Sequence, residues 1–190
     1  MRRFSLAALL LPALFFLFGC SGSRKMAANF VPFTVGLKQR LERDSIDLKQ
    51  VQFYIDQKVI LSRFLGSQKA QVNSGVVKFE NGQYINEVIV PPFTPGVCED
   101  IVNGRLMISF EKGNNNIAFG QGSGYTANDY VIYGTDWKNG TTAVTFDSNK
   151  FRARCGTCSD VASTMLVVKK SEIDKIQKKT RTLKGRKINN

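Results

Sequence analysis

Short alternations of apolar and polar residues fill the middle of the chain and predict a mainly β domain over residues 33–170. Val51, Phe53 and Ile55 share one face of the first segment, as in a half-buried strand. Short segments of this kind recur, separated by turn residues, and predict about ten strands: 51–55, 59–64, 76–80, 83–90, 105–110, 117–120, 130–134, 141–146, 150–154 and 164–169. This spacing favours an antiparallel small barrel or sandwich over alternating strands and helices.

Turn residues between the segments predict which strands pair. Asn81-Gly82 stands between two segments and is the strongest short signal for a β-hairpin. The polar residues 56–58 separate the first two segments, and we expect a hairpin there as well. Asn139-Gly140 ends a turn that separates residues 130–134 from residues 141–146.

Helical spacing of apolar residues appears on either side of the β segments. Thr34 is expected to cap a short N-terminal helix that buries Leu37 and Leu41. From Ile173 onward the apolar residues return at helical spacing among many lysines and arginines. We therefore expect a basic C-terminal helix and tail over residues 171–190, with one stripe docked on the β domain.

The N-terminal residues have the order of an export signal. Two arginines precede the apolar stretch Leu6–Phe18, which is too short for a comfortable bilayer span. Gly19-Cys20 at its end resembles the lipobox of bacterial lipoproteins, in which the cysteine is acylated. We therefore expect residues 1–19 to be a signal peptide, Cys20 to carry the lipid, and residues 20–32 to be a tether.

The residues after Cys20 favour one membrane over the others. Residues 21–29 contain no acidic side chain. Ser21 stands directly after the cysteine, where lipoproteins retained at the inner membrane of enteric bacteria have an aspartate. We expect a lipid-anchored protein of the bacterial cell envelope, held in the outer membrane and facing the periplasm.

Positive charge is concentrated at the C-terminus. The chain has 27 Lys and Arg against 15 Asp and Glu, but residues 169–190 alone hold nine basic and two acidic residues. Export argues against nucleic acid as the partner, so we expect either an anionic envelope polymer or an acidic envelope protein, or a solvated tail that binds nothing specific. The candidate anion-binding residues are Lys175, Lys178, Lys179, Arg181, Lys184, Arg186 and Lys187.

Candidate chemistry is sparse. The chain has no histidine, which excludes Ser-His and Cys-His nucleophile pairs, and we predict neither an enzyme nor a bound cofactor or metal. Cys155 and Cys158 form a C-x-x-C motif, and Cys98 is the third thiol left once Cys20 is acylated. An oxidising periplasm favours a structural disulfide, either within the motif or from Cys98 to one of its cysteines. Free thiols, a redox pair and a zinc site remain as alternatives.

Four aromatic residues lie close together in sequence and are candidates for binding a small ligand or a glycan: Tyr125, Tyr130, Tyr133 and Trp137. The alternative is that they are ordinary sheet residues. The neighbouring run Gly120–Gly124 lacks the Lys-Ser/Thr that follows a phosphate-binding loop, and we expect a hairpin loop there.

Two stretches resemble small uncharacterised envelope lipoproteins of Bacteroidota. These are Phe33-Thr34 through Val51-Gln52-Phe53-Tyr54 and the basic ending Lys184-Gly185-Arg186-Lys187-Ile188. The resemblance implies location and architecture but assigns no activity.

Two hypotheses follow from these patterns. The first is a non-enzymatic binding or assembly module of the envelope whose basic C-terminal helix contacts an anionic partner. The second is a lipoprotein whose β-barrel or aromatic patch binds a small ligand or glycan.

Overall fold

The computed structural model describes residues 27–66, 75–113 and 115–178, with side chains as far as residue 175. Within these ranges, no helix is long and apolar enough to cross a membrane. The strands and α-helices follow in the order β1 Phe30–Pro32, α1 Val35–Arg43, β2 Gln52–Ile55, β3 Val59–Phe64, β4 Val76–Glu80, β5 Gln83–Val90, β6 Pro95–Val102, β7 Arg105–Ser109, β8 Asn116–Gln121, β9 Tyr130–Ile132, β10 Thr135–Lys138, β11 Thr141–Phe146, β12 Asn149–Cys155, β13 Leu166–Lys169 and α2 Lys170–Lys178.

The strands form two open antiparallel sheets. The seven-stranded sheet has the order β1-β13-β2-β6-β7-β8-β9, and the six-stranded sheet has the order β10-β11-β12-β3-β5-β4. The core includes side chains from both sheets that are fully buried, among them Phe53 and Phe119 of the larger sheet and Leu61 of the smaller one. The mainly β, antiparallel prediction is confirmed and the fold is sandwich-like; the small-barrel alternative is not supported, because neither sheet closes on itself.

Local sequence explains several of these elements. The Thr34 hydroxyl accepts a hydrogen bond from the Leu37 amide at 3.0 Å, which caps α1 and leaves Leu37 and Leu41 buried in the core. Asn81 and Gly82 both adopt positive φ angles, 49° and 78°, as a tight two-residue turn between β4 and β5 requires.

Strand pairing differs from the prediction at two points. The predicted hairpin between β2 and β3 is wrong, since β2 pairs with β13 and β6 whereas β3 pairs with β12 and β5 in the other sheet. Strand β6 was not predicted, because Pro95 and Gly96 interrupt the alternation at its start. The partner of β11 across Asn139-Gly140 is β10, a strand that was not predicted, and not β9.

The two ends of the chain are only partly covered by the described residues. The last residues of the predicted tether form β1, which pairs with β13. Helix α2 begins at Lys170, one residue before the predicted start, and is described as far as Lys178. The predicted signal peptide and Cys20, and the basic residues from Lys179 to Lys187, lie outside the described residues.

Candidate ligand-binding site

The aromatic residues singled out in the sequence separate into three environments. Tyr130 is buried, and its ring meets Phe33 edge-on at a centroid distance of 5.2 Å. The same burial raises the pKa of the Tyr130 phenol. Tyr125 is 80 % exposed on a short 3-10 turn, whereas Tyr133 and Trp137 border a common cavity. The structure thus places Tyr130 in the core and brings Tyr133 and Trp137 together.

Tyr133 is covered by the side chain of Arg105. The guanidinium carbon lies 3.6 Å from the centroid of the Tyr133 ring, a close cation–π stack. The Tyr133 amide donates to the Ala118 carbonyl at 2.8 Å, which holds this residue beside β8. A Cβ at Gly120 would lie 3.4 Å from Tyr133 Cδ2 and 3.6 Å from Arg105 Cγ, so both side chains rest against the bare glycine backbone. The stack therefore fixes the plane of the guanidinium.

The Arg105–Tyr133 stack forms one wall of a cleft of about 360 Å³. The cleft lies where β11 passes β8, at the junction of the two sheets. Its apolar lining includes Met107, Ala118 and Phe146. Asp147 and Ser148, in the turn between β11 and β12, supply polar groups to the same cleft. An apolar lining with a few polar groups is typical of a small-molecule site.

Arg105 and Asp147 are the charged residues that line this cleft. Among the described residues, neither Arg105 nor Asp147 takes part in an ion pair within 4.0 Å. A stacked guanidinium keeps its N–H edge available, and that edge matches the two oxygens of a carboxylate or phosphate. The cleft can thus accept an acidic group at Arg105 and donors such as hydroxyl or amino groups at Asp147.

A second cavity of about 330 Å³ lies beside the first, and Tyr133 and Gly134 line both. Trp137 borders this second cavity, and its indole N–H donates to the Gly134 carbonyl at 3.1 Å. Gly122 also lines it, and a Cβ there would lie 2.3 Å from Thr126 Oγ1. The glycine run 120–124 therefore ends β8 and folds over Thr126 as a tight loop.

The three described cysteines lie in two places. Cys155 and Cys158 form a disulfide with a Cα–Cα distance of 5.3 Å, and Cys98 is a free, buried thiol. The expected alternative, a bridge from Cys98 to either of the others, is therefore not what the structure contains. Burial raises the pKa of the Cys98 thiol to about 11. Among the described residues, no three His, Cys, Asp or Glu side chains form a group that could hold a metal ion.

Helix α2 carries the first of the basic residues expected to bind an anion. Ile173 is buried in the core, and the Tyr54 hydroxyl donates to Glu172 Oε1 at 3.3 Å. Lys175 is exposed, and Lys178 is the last described residue of the helix. The contacts of Ile173 and Glu172 attach the start of the helix to the β domain.

Comparison with known proteins returns no match to a family model, to a curated protein or to a solved structure. The site must therefore be judged on its own chemistry. The sequence analysis did not identify Arg105 or Asp147 as site residues. Arg105 directly follows the turn Asn103-Gly104, and Asp147 is the first residue of the turn Asp147-Ser148. No local sequence pattern indicates that these two residues line the same cleft at the junction of the sheets.

Proposed function

We propose that this protein is a lipid-anchored, non-enzymatic binding module of the bacterial cell envelope, held in the outer membrane and facing the periplasm. The export signal pattern and Gly19-Cys20 support the anchor. Two acyl chains or more would make attachment stable, since a single chain binds a membrane only marginally.

The ligand of this module is a small acidic glycan bound in the cleft at Arg105. The observation that carries this proposal is the guanidinium stacked 3.6 Å from the Tyr133 ring, without a carboxylate partner among the described residues. Arg105 would receive the carboxylate of the sugar, and Asp147 and Ser148 would receive its hydroxyl or amide groups. The apolar residues of the cleft, such as Met107, would cover the carbon skeleton of the ring.

Binding without catalysis is the activity that this chemistry favours. No histidine is present in the sequence to act as a general base. Ser148 is the nearest nucleophile to Asp147, but it follows it directly in a turn and makes no hydrogen bond to its carboxylate among the described residues. The cleft thus offers recognition groups and lacks a paired nucleophile and base.

Titration calorimetry with N-acetylmuramic acid and glucuronic acid tests this proposal, with N-acetylglucosamine as the neutral comparison. The acidic sugars should bind and the neutral sugar should bind at least about tenfold more weakly, because a charge-assisted hydrogen bond contributes about 1.5–3 kcal/mol. Arg105→Gln should remove that preference, whereas Arg43→Gln on the exposed surface of α1 should retain it. Equal affinity of the Arg105→Gln variant and the unmodified protein would contradict the assignment of the site.

A second candidate is the basic C-terminal segment, which would bind an anionic wall polymer, lipid or acidic envelope protein. Its support is the concentration of nine basic residues in residues 169–190, beginning on a helix that Ile173 anchors. Removing residues 179–190 leaves α2 in place and should abolish binding to lipopolysaccharide-coated beads. Full retention by the shortened chain would exclude the five basic residues of 179–190 as the binding element.

A further inference from the structure

Large apolar side chains are exposed together at one edge of the six-stranded sheet. Phe64 is 72 % exposed, Val76 63 %, Val77 41 % and Phe79 64 %. Val76, Val77 and Phe79 belong to β4, the outermost strand, and Phe64 ends β3, two strands away. We call these four residues the β4 edge. The other large exposed apolar residues are distributed over other strands and loops. Large apolar side chains that are exposed together at one edge mark an interaction surface.

The β4 edge is apolar on both faces of the sheet. Val76 pairs with Glu87 on one face, and Phe64 lies on that same face beside Ile85. Val77 and Phe79 point to the opposite face, where the Phe79 ring contacts Tyr84 at a centroid distance of 5.0 Å. A protein partner lying against the sheet would cover one of these faces only. A fluid apolar phase surrounds an inserted edge and covers both.

Cationic side chains lie beside this edge. Lys150, Arg152 and Arg154 occupy alternate positions of β12 and therefore share one face of the sheet. This is the face of Phe64, since Phe64, Ile85 and these three cations line one groove. Lys78 of β4 is on the same face. Lys78 and Arg154 pair with Glu87, and Arg152 pairs with Asp136, so of these four cations only Lys150 takes part in no ion pair among the described residues. Aromatic residues next to lysine and arginine are the composition of segments that lie in the headgroup layer of an anionic membrane.

We propose that the β4 edge inserts into the headgroup and upper acyl region of an anionic lipid bilayer. This inference rests on the proposed lipid anchor, which would hold the domain at a membrane surface. Insertion is shallow, because an edge strand has backbone N–H and C=O groups that need water or headgroup partners. Lys150 of β12, which takes part in no ion pair among the described residues, then faces the phosphates of neighbouring lipids.

Vesicle binding by the mature chain tests the proposal. Residues 20–190 carrying Cys20→Ser would lack the lipid, so that binding reports the protein surface alone. The probes are vesicles of phosphatidylcholine and of phosphatidylcholine with 30 % phosphatidylglycerol, and the readout is co-sedimentation. Phe64→Ser/Phe79→Ser should lower the partition coefficient at least about tenfold on both, which corresponds to about 1.4 kcal/mol. Tyr125→Ser removes an equally exposed aromatic residue elsewhere and should leave binding unchanged.

The basic C-terminal segment should contribute to binding only on the anionic vesicles. Weaker binding of the Phe64→Ser/Phe79→Ser variant to neutral vesicles therefore reports the β4 edge and not the basic segment. Circular dichroism confirms that each variant is folded, and Phe64→Ser alone repeats the test without disturbing the Phe79–Tyr84 contact. Equal partitioning of the variant and the parent chain overturns the proposal. So does a vesicle-independent dimer that the substitutions dissociate, since the edge would then bind a second copy. Neither result bears on sugar binding at Arg105 or on acylation of Cys20, which mass spectrometry of the membrane fraction tests directly.

Discussion

Reducing the Cys155–Cys158 disulfide should lower the free energy of unfolding by a small amount. The bridge spans a sequence separation of three and so closes a ring of four residues. The chain-entropy model assigns such a ring about 2 kcal/mol, whereas a bridge from Cys98 would close about 60 residues and contribute about 4 kcal/mol. For a domain of this size each 1 kcal/mol corresponds to about 2–4 °C in Tm. A reductant should therefore lower Tm by about 4–8 °C.

Calorimetric scans with and without a phosphine reductant measure this shift in chains that carry Cys20→Ser. Cys98→Ala should show the same reductant-induced shift as the parent chain, although its own Tm is lower because Cys98 is buried in the core. Cys155→Ser should show no shift. The reasoning is refuted when Cys98→Ala becomes insensitive to the reductant, because Cys98 would then be a partner in the bridge.

Three further predictions follow from single contacts. Because burial raises the pKa of Cys98 to about 11, iodoacetamide at pH 8 should alkylate it at least about a hundredfold more slowly in the native than in the unfolded protein, measured by mass spectrometry. The hydrogen bond from Arg152 and the positive charge of Arg152 lower the pKa of Asp136 in the folded protein. The Asp136 carboxylate therefore stabilises the fold at pH values above its pKa in the unfolded chain, and this stabilisation is lost as the pH falls through its pKa in the folded protein. Asp136→Asn should accordingly flatten the fall of Tm below about pH 4, and an unchanged slope would contradict that assignment. Gly134→Ala should cost about 1–3 kcal/mol in urea unfolding, because its Cβ would lie 2.3 Å from Thr142 Oγ1.

Local signals in the sequence were sufficient for the hairpin of β4 and β5 and for the N-terminal helix. Asn81-Gly82 specifies the turn between β4 and β5 by its backbone preference alone, and the structure has that hairpin. The N-terminal helix follows in the same way from its Thr34 cap and the spacing of Leu37 and Leu41. Such features depend on a few consecutive residues, which a single sequence displays in full.

The separation of β2 from β3 depends on a contact that no local pattern contains. Asp56 follows β2, where the sequence indicates a hairpin turn. Its carboxylate accepts from the Met165 amide at 2.7 Å, and its own amide donates to the Met165 carbonyl at 3.1 Å. These bonds tie the end of β2 to the residue before β13, and the chain then crosses to the other sheet. The partner lies 109 residues away in sequence.

The candidate site was predicted only in part, because it too depends on contacts between residues that are distant in sequence. Tyr130 and Tyr133 lie three positions apart and look alike in sequence, yet Tyr130 is buried in the core and Tyr133 is half-buried beside the cleft. What distinguishes them is the position of β9 between β8 and the residues around Met165. Arg105 gains its role from a stack on a residue of another strand, which only the assembled sheet reveals.

The strand order of the smaller sheet places the two proposed surfaces at opposite edges. The cleft is lined by residues of β10 and β11, including Thr135 and Thr145, whereas β4 is the last strand on the other side. Five inter-strand steps of about 4.8 Å separate β10 from β4, or about 24 Å. A domain that inserts its β4 edge would thus hold the cleft of Arg105 outside the inserted part of the sheet, with Lys150 of β12 between the headgroups and Thr145 of the cleft. A sugar acid could then enter without displacing the membrane contact, and because the two sites share no residue, substitutions at one should leave binding at the other unchanged.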